Sequence, residues 1–263
     1  MAAYAFPSEL ADAVRRGFLV GSTVVVILFP SLINPAFHRE GNRGSYLGAD
    51  NFSDLKSLPR YADFGYFSPS PEVFHVANWI ADSVDHAGSD FIIVDKKHAR
   101  VLVFDGHARL KGESPILLGG AVGDDSVPDI GSRPLDQVKL EERTTPAGRF
   151  VGEKGRNARG EDVVWVDYDA AVSMHRVLTT RPDERRIERL KSETVVDNRV
   201  SWGCINVPKA FFETHISPIF AKRHALIYVL PEVKPLQSVF SLYDVQARYT
   251  QQKNLGAGQT REH

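Results

Sequence analysis

Apolar residues follow three different patterns along this chain of 263 residues. Near the N-terminus, a largely apolar run of about a dozen residues follows Arg15 and Arg16. A basic flank before such a run is typical of an export signal, and the run is shorter than the ~20 residues that span a membrane comfortably. The second pattern is helical spacing between residues 71 and 88, where Ser70 can cap a helix that Pro71 begins and Gly88 ends.

The third pattern begins at Phe91, where the spacing of apolar residues falls toward two and turn residues become frequent. This pattern predicts β-strands joined by tight turns. The predicted strands are residues 91–94, 100–104, 114–118, a strand entered at 150, 163–166, a strand ending at 175, and 225–230. The chain is therefore predicted to be mainly β with short helices, including one N-terminal helix.

Two segments interrupt the strands. Residues 119–142 are rich in glycine, proline and acids without periodicity, and they are either part of a groove wall or a solvated connector. Residues 180–192 are predicted to form a charged helix, with Thr180 and Asp183 as a capping box. We favour an exposed surface helix for this segment, and a lid over a cleft is the alternative.

These patterns divide the chain into four parts. Residues 1–37 are interpreted as a signal peptide or signal anchor, with secretory and twin-arginine export both open and a buried strand as the alternative. Residues 38–88 comprise a linker and the N-terminal helix, residues 89–232 the candidate catalytic domain, and residues 233–263 a tail whose end is predicted to be disordered.

Composition excludes several function classes. A formal net charge of −1 provides no basic surface for nucleic acid. The nine histidines and one cysteine do not have the spacing of a zinc site, so we expect no metal and no cofactor. With Cys204 as the only cysteine, no internal disulfide can form even in an oxidising compartment.

Cys204 has the surroundings of a nucleophile. It follows Gly203, which permits a tight turn whose amides can stabilise an oxyanion, and His175 lies upstream at the end of an alternating segment. A thiol becomes reactive when a neighbouring base takes or holds its proton. Singly, a lone cysteine and a histidine beside Met174 are more often packing residues. Their joint occurrence favours a Cys-His pair.

The sequence around these residues resembles the L,D-transpeptidase (YkuD) catalytic domain. That family pairs a histidine with a downstream S-x-G-C-x-[RN] block, which corresponds here to His175 and to Ser201 through Asn206. FIIVDKKHARVLVFDG resembles the opening hairpin of the family, and TTPAGRF resembles its T-P-x-G-x-[FY] element. The resemblance extends over roughly residues 90–232.

The resemblance implies a β-sandwich with a cleft that holds Cys204 and His175. It also implies an exported enzyme of the periplasm or cell envelope that acts on peptidoglycan stem peptides through a Cys204 thioester, with crosslinking or L,D-carboxypeptidase outcomes. The membrane would be contacted only through the N-terminal segment. The residues to which it assigns supporting roles are Ser201, which would orient His175, and Trp202, Gly203 and Asn206, which would serve the oxyanion or the donor. Arg176, next to His175, is a further candidate that could attract a substrate carboxylate, although a surface arginine without that role is the commoner case.

Two departures from the family pattern leave alternatives. Trp202 stands where histidine is usual, and the interval between His175 and Cys204 is longer by about a short helix. A catalytically idle wall-binding module with the same fold is therefore the alternative from another class. A papain-like or NlpC-like hydrolase is disfavoured because its cysteine precedes its histidine.

Overall fold

The computed structural model describes residues 58–221 and 224–259, with side chains described as far as residue 253. The segment 1–37, interpreted as an export signal, lies outside the described residues. Within the described part of the chain, none of the helices is long and apolar enough to span a membrane.

Ten strands dominate the described part of the chain. They are β1 (Phe91–Asp95), β2 (Arg100–Phe104), β3 (Leu110–Pro115), β4 (Leu118–Gly119), β5 (Gly148–Arg156), β6 (Asp162–Asp167), β7 (Val172–Arg176), β8 (Arg199–Ser201), β9 (Ile205–Val207) and β10 (Ala225–Val229). Eight of them form one sheet in the order β3-β2-β1-β10-β5-β6-β7-β9, and β4 pairs with β8 in a small second sheet. The prediction of a mainly β fold with short helices is confirmed.

The helices are short or lie at the ends of the domain. They are α1 (Pro71–Ser83), α2 (Arg186–Lys191), α3 (Lys209–Phe211), α4 (Ser217–Phe220) and α5 (Val245–Gln259). A single π-helical turn, Phe212–Ile216, joins α3 to α4. The predicted N-terminal helix is α1, and the hydroxyl of Ser70 accepts a hydrogen bond from the Val73 amide at its start.

Two apolar cores lie on opposite faces of the large sheet, because neighbouring residues of a strand point to opposite faces. On one face, Ile92 and Val94 of β1 pack in the same cluster as Met174 of β7 and Ile205 of β9, so the sheet curls over itself in a sandwich-like way. On the other face, Phe91 and Ile93 belong to a second cluster with residues of α1 and with Phe240. β7 and β9, which flank the candidate site, are therefore part of the first core.

Four local predictions differ from the structure. Helix α1 ends at Ser83 and not at Gly88, because Val84 adopts a left-handed conformation with φ 57°. The strand predicted at 114–118 is divided into β3 and β4. The charged segment 180–192 contains a 3₁₀ turn at Pro182–Glu184 and then α2, because Arg185 has φ 48°. The tail contains α5, whose last residues, up to Gln259, fall within the end that was predicted to be disordered, and Phe240 before this helix is buried.

A buried ion cluster joins four separate parts of the chain. The ammonium of Lys96, fully buried, donates to the Gly123 carbonyl at 2.6 Å, the Asp124 carboxylate at 2.7 Å and the Thr145 carbonyl at 2.8 Å. Glu232 lies 3.6 Å from the same ammonium and forms an ion pair with Arg199. All three ammonium protons are used, which is the condition for burying a charge without a large penalty.

Asp124 is held in its ionised form. Its carboxylate also accepts hydrogen bonds from the amides of Glu232, Val233 and Lys234 at 2.7–2.9 Å. Burial raises the pKa of Asp124, but the hydrogen bonds from Lys96 and these amides outweigh that effect and lower the pKa to about 2 from an ordinary value of 3.8. The carboxylate therefore stabilises the fold fully above pH 3.8, and this contribution is lost as the pH falls through 2.

We expect Asp124→Asn to lower the free energy of unfolding at pH 7 by about 3 kcal/mol, because the buried Lys96 ammonium loses the nearer of its two charge partners. Urea denaturation measures this change. The matched control is Asp125→Asn, which removes a carboxylate 73% exposed in its ion pair with Lys234 and should cost less than about 1 kcal/mol.

Protonation of the Asp124 carboxylate should lower the free energy of unfolding of the wild-type protein by about 2 kcal/mol between pH 5 and pH 2. The Asp124→Asn variant should lose less stability over the same interval. Equal destabilisation by Asp124→Asn and Asp125→Asn would mean that the buried ion cluster contributes no more to stability than a surface ion pair.

Candidate active site

The pairing of two edge strands brings His175 and Cys204 together. β7 and β9 run parallel, with Met174 opposite Ile205 and His175 opposite Asn206. Cys204 is the residue immediately before β9, so its side chain lies next to the end of β7. The register of these strands places the histidine beside the cysteine although 29 positions separate them in the chain.

The turn from Ser201 to Cys204 is held by its own hydrogen bonds. The Ser201 hydroxyl donates to the Cys204 carbonyl at 2.6 Å and accepts from the Gly203 amide at 3.1 Å. Gly203 has φ 125°, and a Cβ there would lie 2.8 Å from the Thr144 carbonyl oxygen. Glycine is required at this position for both conformation and space.

The TTPAG element supports the turn from the other side. Thr145 is fully buried, and its hydroxyl donates to the Gly203 carbonyl at 2.8 Å and accepts from the Gly119 amide at 2.9 Å. The same residue's carbonyl accepts from Lys96. The turn before the cysteine is thus connected through Thr145 to the buried ion cluster.

The thiol of Cys204 lies half-buried among three groups. The pairing of β7 with β9 brings the His175 imidazole beside it, and its Sγ lies 3.7 Å from both the Ser173 hydroxyl and the Ala171 carbonyl oxygen. Burial raises the pKa of the thiol, whereas His175, by hydrogen bond and by charge, and Ser173 lower it. The lowering effects prevail, so the pKa of Cys204 is below its ordinary value. This environment favours the thiolate, the nucleophilic form.

The imidazole of His175 is oriented by a backbone carbonyl. Its Nδ1 lies 2.7 Å from the carbonyl oxygen of Arg176. Because a carbonyl only accepts hydrogen bonds, Nδ1 carries a proton and Nε2 is left as the basic nitrogen. The role of orienting His175, expected of Ser201, belongs in the structure to this carbonyl, since the Ser201 hydroxyl is committed to the turn.

Some of the hydrogen-bond donors expected to stabilise an oxyanion are already used within the protein. The Gly203 amide uses its proton in the bond to Ser201, which leaves the amides of Trp202 and Cys204 as the remaining donors of the turn. Asn206 is fully buried, and its Nδ2 donates to the Cys204 carbonyl at 3.2 Å. Its side chain is therefore hydrogen-bonded to the backbone of Cys204 and helps to hold the turn in place.

Arg176 is already paired. Its guanidinium contacts the Asp162 carboxylate at 3.0 Å and the Glu213 carboxylate at 3.1 Å, and it lies over the ring of Phe212. Two carboxylates compensate its charge, so the expected role of attracting a substrate carboxylate does not fit this geometry.

Trp202 stacks on an arginine from the loop between β4 and β5. The guanidinium carbon of Arg143 lies 3.4 Å from the ring centre of Trp202, which is a cation–π contact. The segment 119–142 thus leads directly to a residue on the wall beside the cysteine, which favours the groove-wall interpretation.

A cleft of about 680 Å³ runs past His175. Its other walls are the β5–β6 hairpin, the end of β7 and the start of α3, and it includes the side chains of Lys154, Arg156, Asp162 and Lys209. Its volume is in the range of peptide and small-molecule sites. Cys204 does not form part of this wall, so the imidazole connects the cleft with the thiol.

The described residues contain no group of three or more His, Cys, Asp or Glu side chains that could hold a metal ion.

Comparison with known proteins finds only distant structural similarity. No protein-family model and no curated protein matches the chain. Matching solved structures include the helical cell shape determining protein Pgp2 from Campylobacter jejuni, with 14% identity and a TM-score of 0.37 over 56% of this chain and 49% of that one. The LD transpeptidase LdtMt1 in complex with imipenem matches with 15% identity and a TM-score of 0.31, over 54% of this chain and 59% of that one.

A fused Zn-dependent amidase/peptidase/peptidoglycan-binding domain-containing protein from Clostridium acetobutylicum has 19% identity and a TM-score of 0.32. That match covers 62% of this chain and 63% of the Clostridium protein. The chain therefore spans 49–63% of the length of these three proteins. At such identities and scores, the similarities assign neither a family nor an activity.

Several residues of the site were not singled out from sequence. Ser173 had a usable signal, because it lies two positions before His175 and so shares its strand face. Thr145 lies within the TTPAGRF element, although its contact with Gly203 was not foreseen. Arg143 and Arg186 had no local signal, since their partners are distant in sequence.

We expect the rate of Cys204 alkylation by iodoacetamide to rise with pH. The midpoint of this rise should lie below ~8.5, the pKa of a free cysteine. His175→Ala should move that midpoint upward, because the imidazole that stabilises the thiolate is lost. Stopped reactions analysed by intact mass across pH 5–10 measure it. The control is His107→Ala, an exposed histidine in the β2–β3 turn. An unchanged midpoint in His175→Ala would separate the two residues functionally.

Proposed function

We propose that this chain is an L,D-transpeptidase, a cysteine acyltransferase that acts on peptidoglycan stem tetrapeptides in the cell envelope. The observation that carries the proposal is the Cys204 thiol at the end of a glycine turn, with His175 beside it and lowering its pKa. The sequence resemblance of the Ser201–Asn206 block, of TTPAGRF and of the first hairpin supplies the substrate class. Export through residues 1–37 is part of the same proposal.

The first half-reaction would transfer an acyl group to the enzyme. The Cys204 sulfur attacks the carbonyl carbon of the amide between the diamino acid and the terminal D-alanine, while His175 Nε2 accepts the thiol proton. The amides of Trp202 and Cys204 stabilise the oxyanion of the tetrahedral intermediate. The carbon–nitrogen bond then breaks, His175 returns the proton to the leaving amine, and a thioester remains on Cys204.

The second half-reaction would transfer the acyl group to an acceptor. His175 removes a proton from the attacking amine or water, the new bond to the carbonyl carbon forms, and the Cys204 thiolate leaves. An amine of a second stem peptide yields a crosslink, and water yields a tripeptide. The idle wall-binding module is the alternative, in which the site binds the stem peptide without breaking a bond.

The cleft beside His175 is the proposed binding site for a stem peptide. Lys154 and Lys209 line it and form no ion pair with a described carboxylate, in contrast to Arg176. A stem tetrapeptide carries a free carboxylate on its C-terminal D-alanine, and ammonium groups on a cleft wall attract such a group. Lys154 and Lys209 thus take the role that sequence reasoning assigned to Arg176.

The decisive experiment is incubation of the full-length purified chain with a disaccharide tetrapeptide and mass analysis of the products. We expect a crosslinked dimer or a tripeptide, with release of D-alanine. An acyl adduct should be detectable on Cys204 in acid-quenched protein.

Cys204→Ala is the matched control, and it should remain folded and form no product. Unchanged tetrapeptide with bound ligand in the wild type would favour the idle module. Product formation by Cys204→Ala would refute the thioester mechanism.

The Lys154→Gln/Lys209→Gln double variant should raise the Michaelis constant for the tetrapeptide about threefold to tenfold, with kcat little changed. The reason is that two exposed charge contacts are each worth up to about 1 kcal/mol. Initial rates at low salt measure the effect, which should shrink at high salt. The control is Lys191→Gln, an exposed lysine at the end of α2. An equal Michaelis constant in the double variant would place the substrate elsewhere.

A further inference from the structure

Arg186 connects the segment between His175 and Cys204 to the cysteine turn. It is the first residue of α2, and its side chain is only 10% exposed. Its Nη1 donates to the Asn206 Oδ1 at 2.6 Å, and the Asn206 Nδ2 in turn donates to the Cys204 carbonyl at 3.2 Å. The segment predicted to be a solvated surface helix thus carries a buried contact with the site.

This contact decides which way the Asn206 amide points. A buried amide can present either its oxygen or its nitrogen in a given direction, and neighbouring groups select the orientation. Arginine only donates hydrogen bonds, so Arg186 requires the Asn206 oxygen on its side. The amide nitrogen is then directed toward the Cys204 carbonyl, which also accepts from Ser201.

The influence of Arg186 is one of geometry more than of charge. The Glu184 carboxylate lies 2.5 Å from its Nε, so the guanidinium is paired within its own segment. Arg189 further braces the segment through bonds to the Glu184 carbonyl at 2.8 Å and to the Asp197 carbonyl at 2.9 Å. The braced arginine presents one fixed donor to Asn206.

We propose that Arg186 is a positioning residue for acyl transfer, acting through Asn206 to fix the peptide group of Cys204. This inference rests on the proposed function for its reaction, but its physical content concerns the reactivity of Cys204 alone. A fixed Cys204 carbonyl holds the sulfur and the Cys204 amide in the geometry that attack and oxyanion stabilisation require.

The first test is Arg186→Met, which keeps an unbranched side chain and removes the donor. The rate constant for acylation of Cys204 by p-nitrophenyl acetate should fall about tenfold to hundredfold, because misplacement of the reacting groups is costly. The pH midpoint of Cys204 alkylation should stay within about 0.3 unit of wild type, since the charge was already paired. Arg186→Lys should restore part of the rate by supplying a donor.

Arg185→Met is the matched control, because Arg185 is exposed and its substitution removes the same charge from the same segment. It should acylate at the wild-type rate. Thermal unfolding of each variant, followed by circular dichroism, separates misfolding from mispositioning.

The second test is a double-mutant cycle with Asn206→Ala. If Arg186 acts through Asn206, Arg186→Met should produce no further loss in the Asn206→Ala background. Additive losses would mean that Arg186 acts by another route and would overturn the proposal, as would wild-type acylation by folded Arg186→Met.

A wild-type chain that leaves the tetrapeptide unchanged but is acylated by p-nitrophenyl acetate would refute the proposed function. The same cycle, run with the small donor, would still decide the role of Arg186.

Discussion

The buried ammonium of Lys96 is the constraint on which the candidate site depends. Its three hydrogen bonds hold Gly123, Asp124 and Thr145, and Arg199 donates to its backbone carbonyl at 3.1 Å. Thr145 extends this connection to the Gly203 carbonyl, and Arg199 begins β8, which ends at Ser201. The position of the cysteine turn is therefore set by a charge that must remain fully paired.

The site is held in two ways, by core packing and by hydrogen bonds. β7 and β9 belong to the first apolar core, so the backbone positions of His175 and the residue after Cys204 are fixed by packing. The peptide groups between Ser201 and Cys204 are held by the Ser201 hydroxyl within the turn and by two side chains from elsewhere, Thr145 and Asn206, the second of which is bonded to Arg186. This division suits a reaction that needs sub-ångström placement of a nucleophile and of oxyanion donors.

Three arginines near the site make two kinds of contact. Arg176 and Arg186 are both paired with carboxylates. Arg143 instead stacks on Trp202, with its guanidinium against the indole face. The indole is thereby held on the wall next to Cys204, where a stem peptide would pass in the proposed reaction.

The sequence by itself determined the features that local periodicity records. Alternation predicted most of the strands and the mainly β class, and Ser70 with Pro71 correctly predicted the start of α1. The pattern of a lone cysteine after glycine, with a histidine on a strand face, also identified the two residues that the structure places in contact. The strand and helix signals survive because each depends on residues within a few positions of one another, and each half of the Cys-His pair likewise has its own local signal, in the glycine before Cys204 and the alternation before His175.

Tertiary structure alone decided the contacts that complete the site. Lys96 is fully buried although a lysine in a turn is normally exposed, because Asp124 and Glu232 approach it from distant parts of the chain. The pairing of Arg143 with Trp202 and of Arg186 with Asn206 likewise joins residues 20 to 59 positions apart. Periodicity reports which face of an element is apolar, whereas the partner of a buried charge or amide is known only once the chain has brought both groups together.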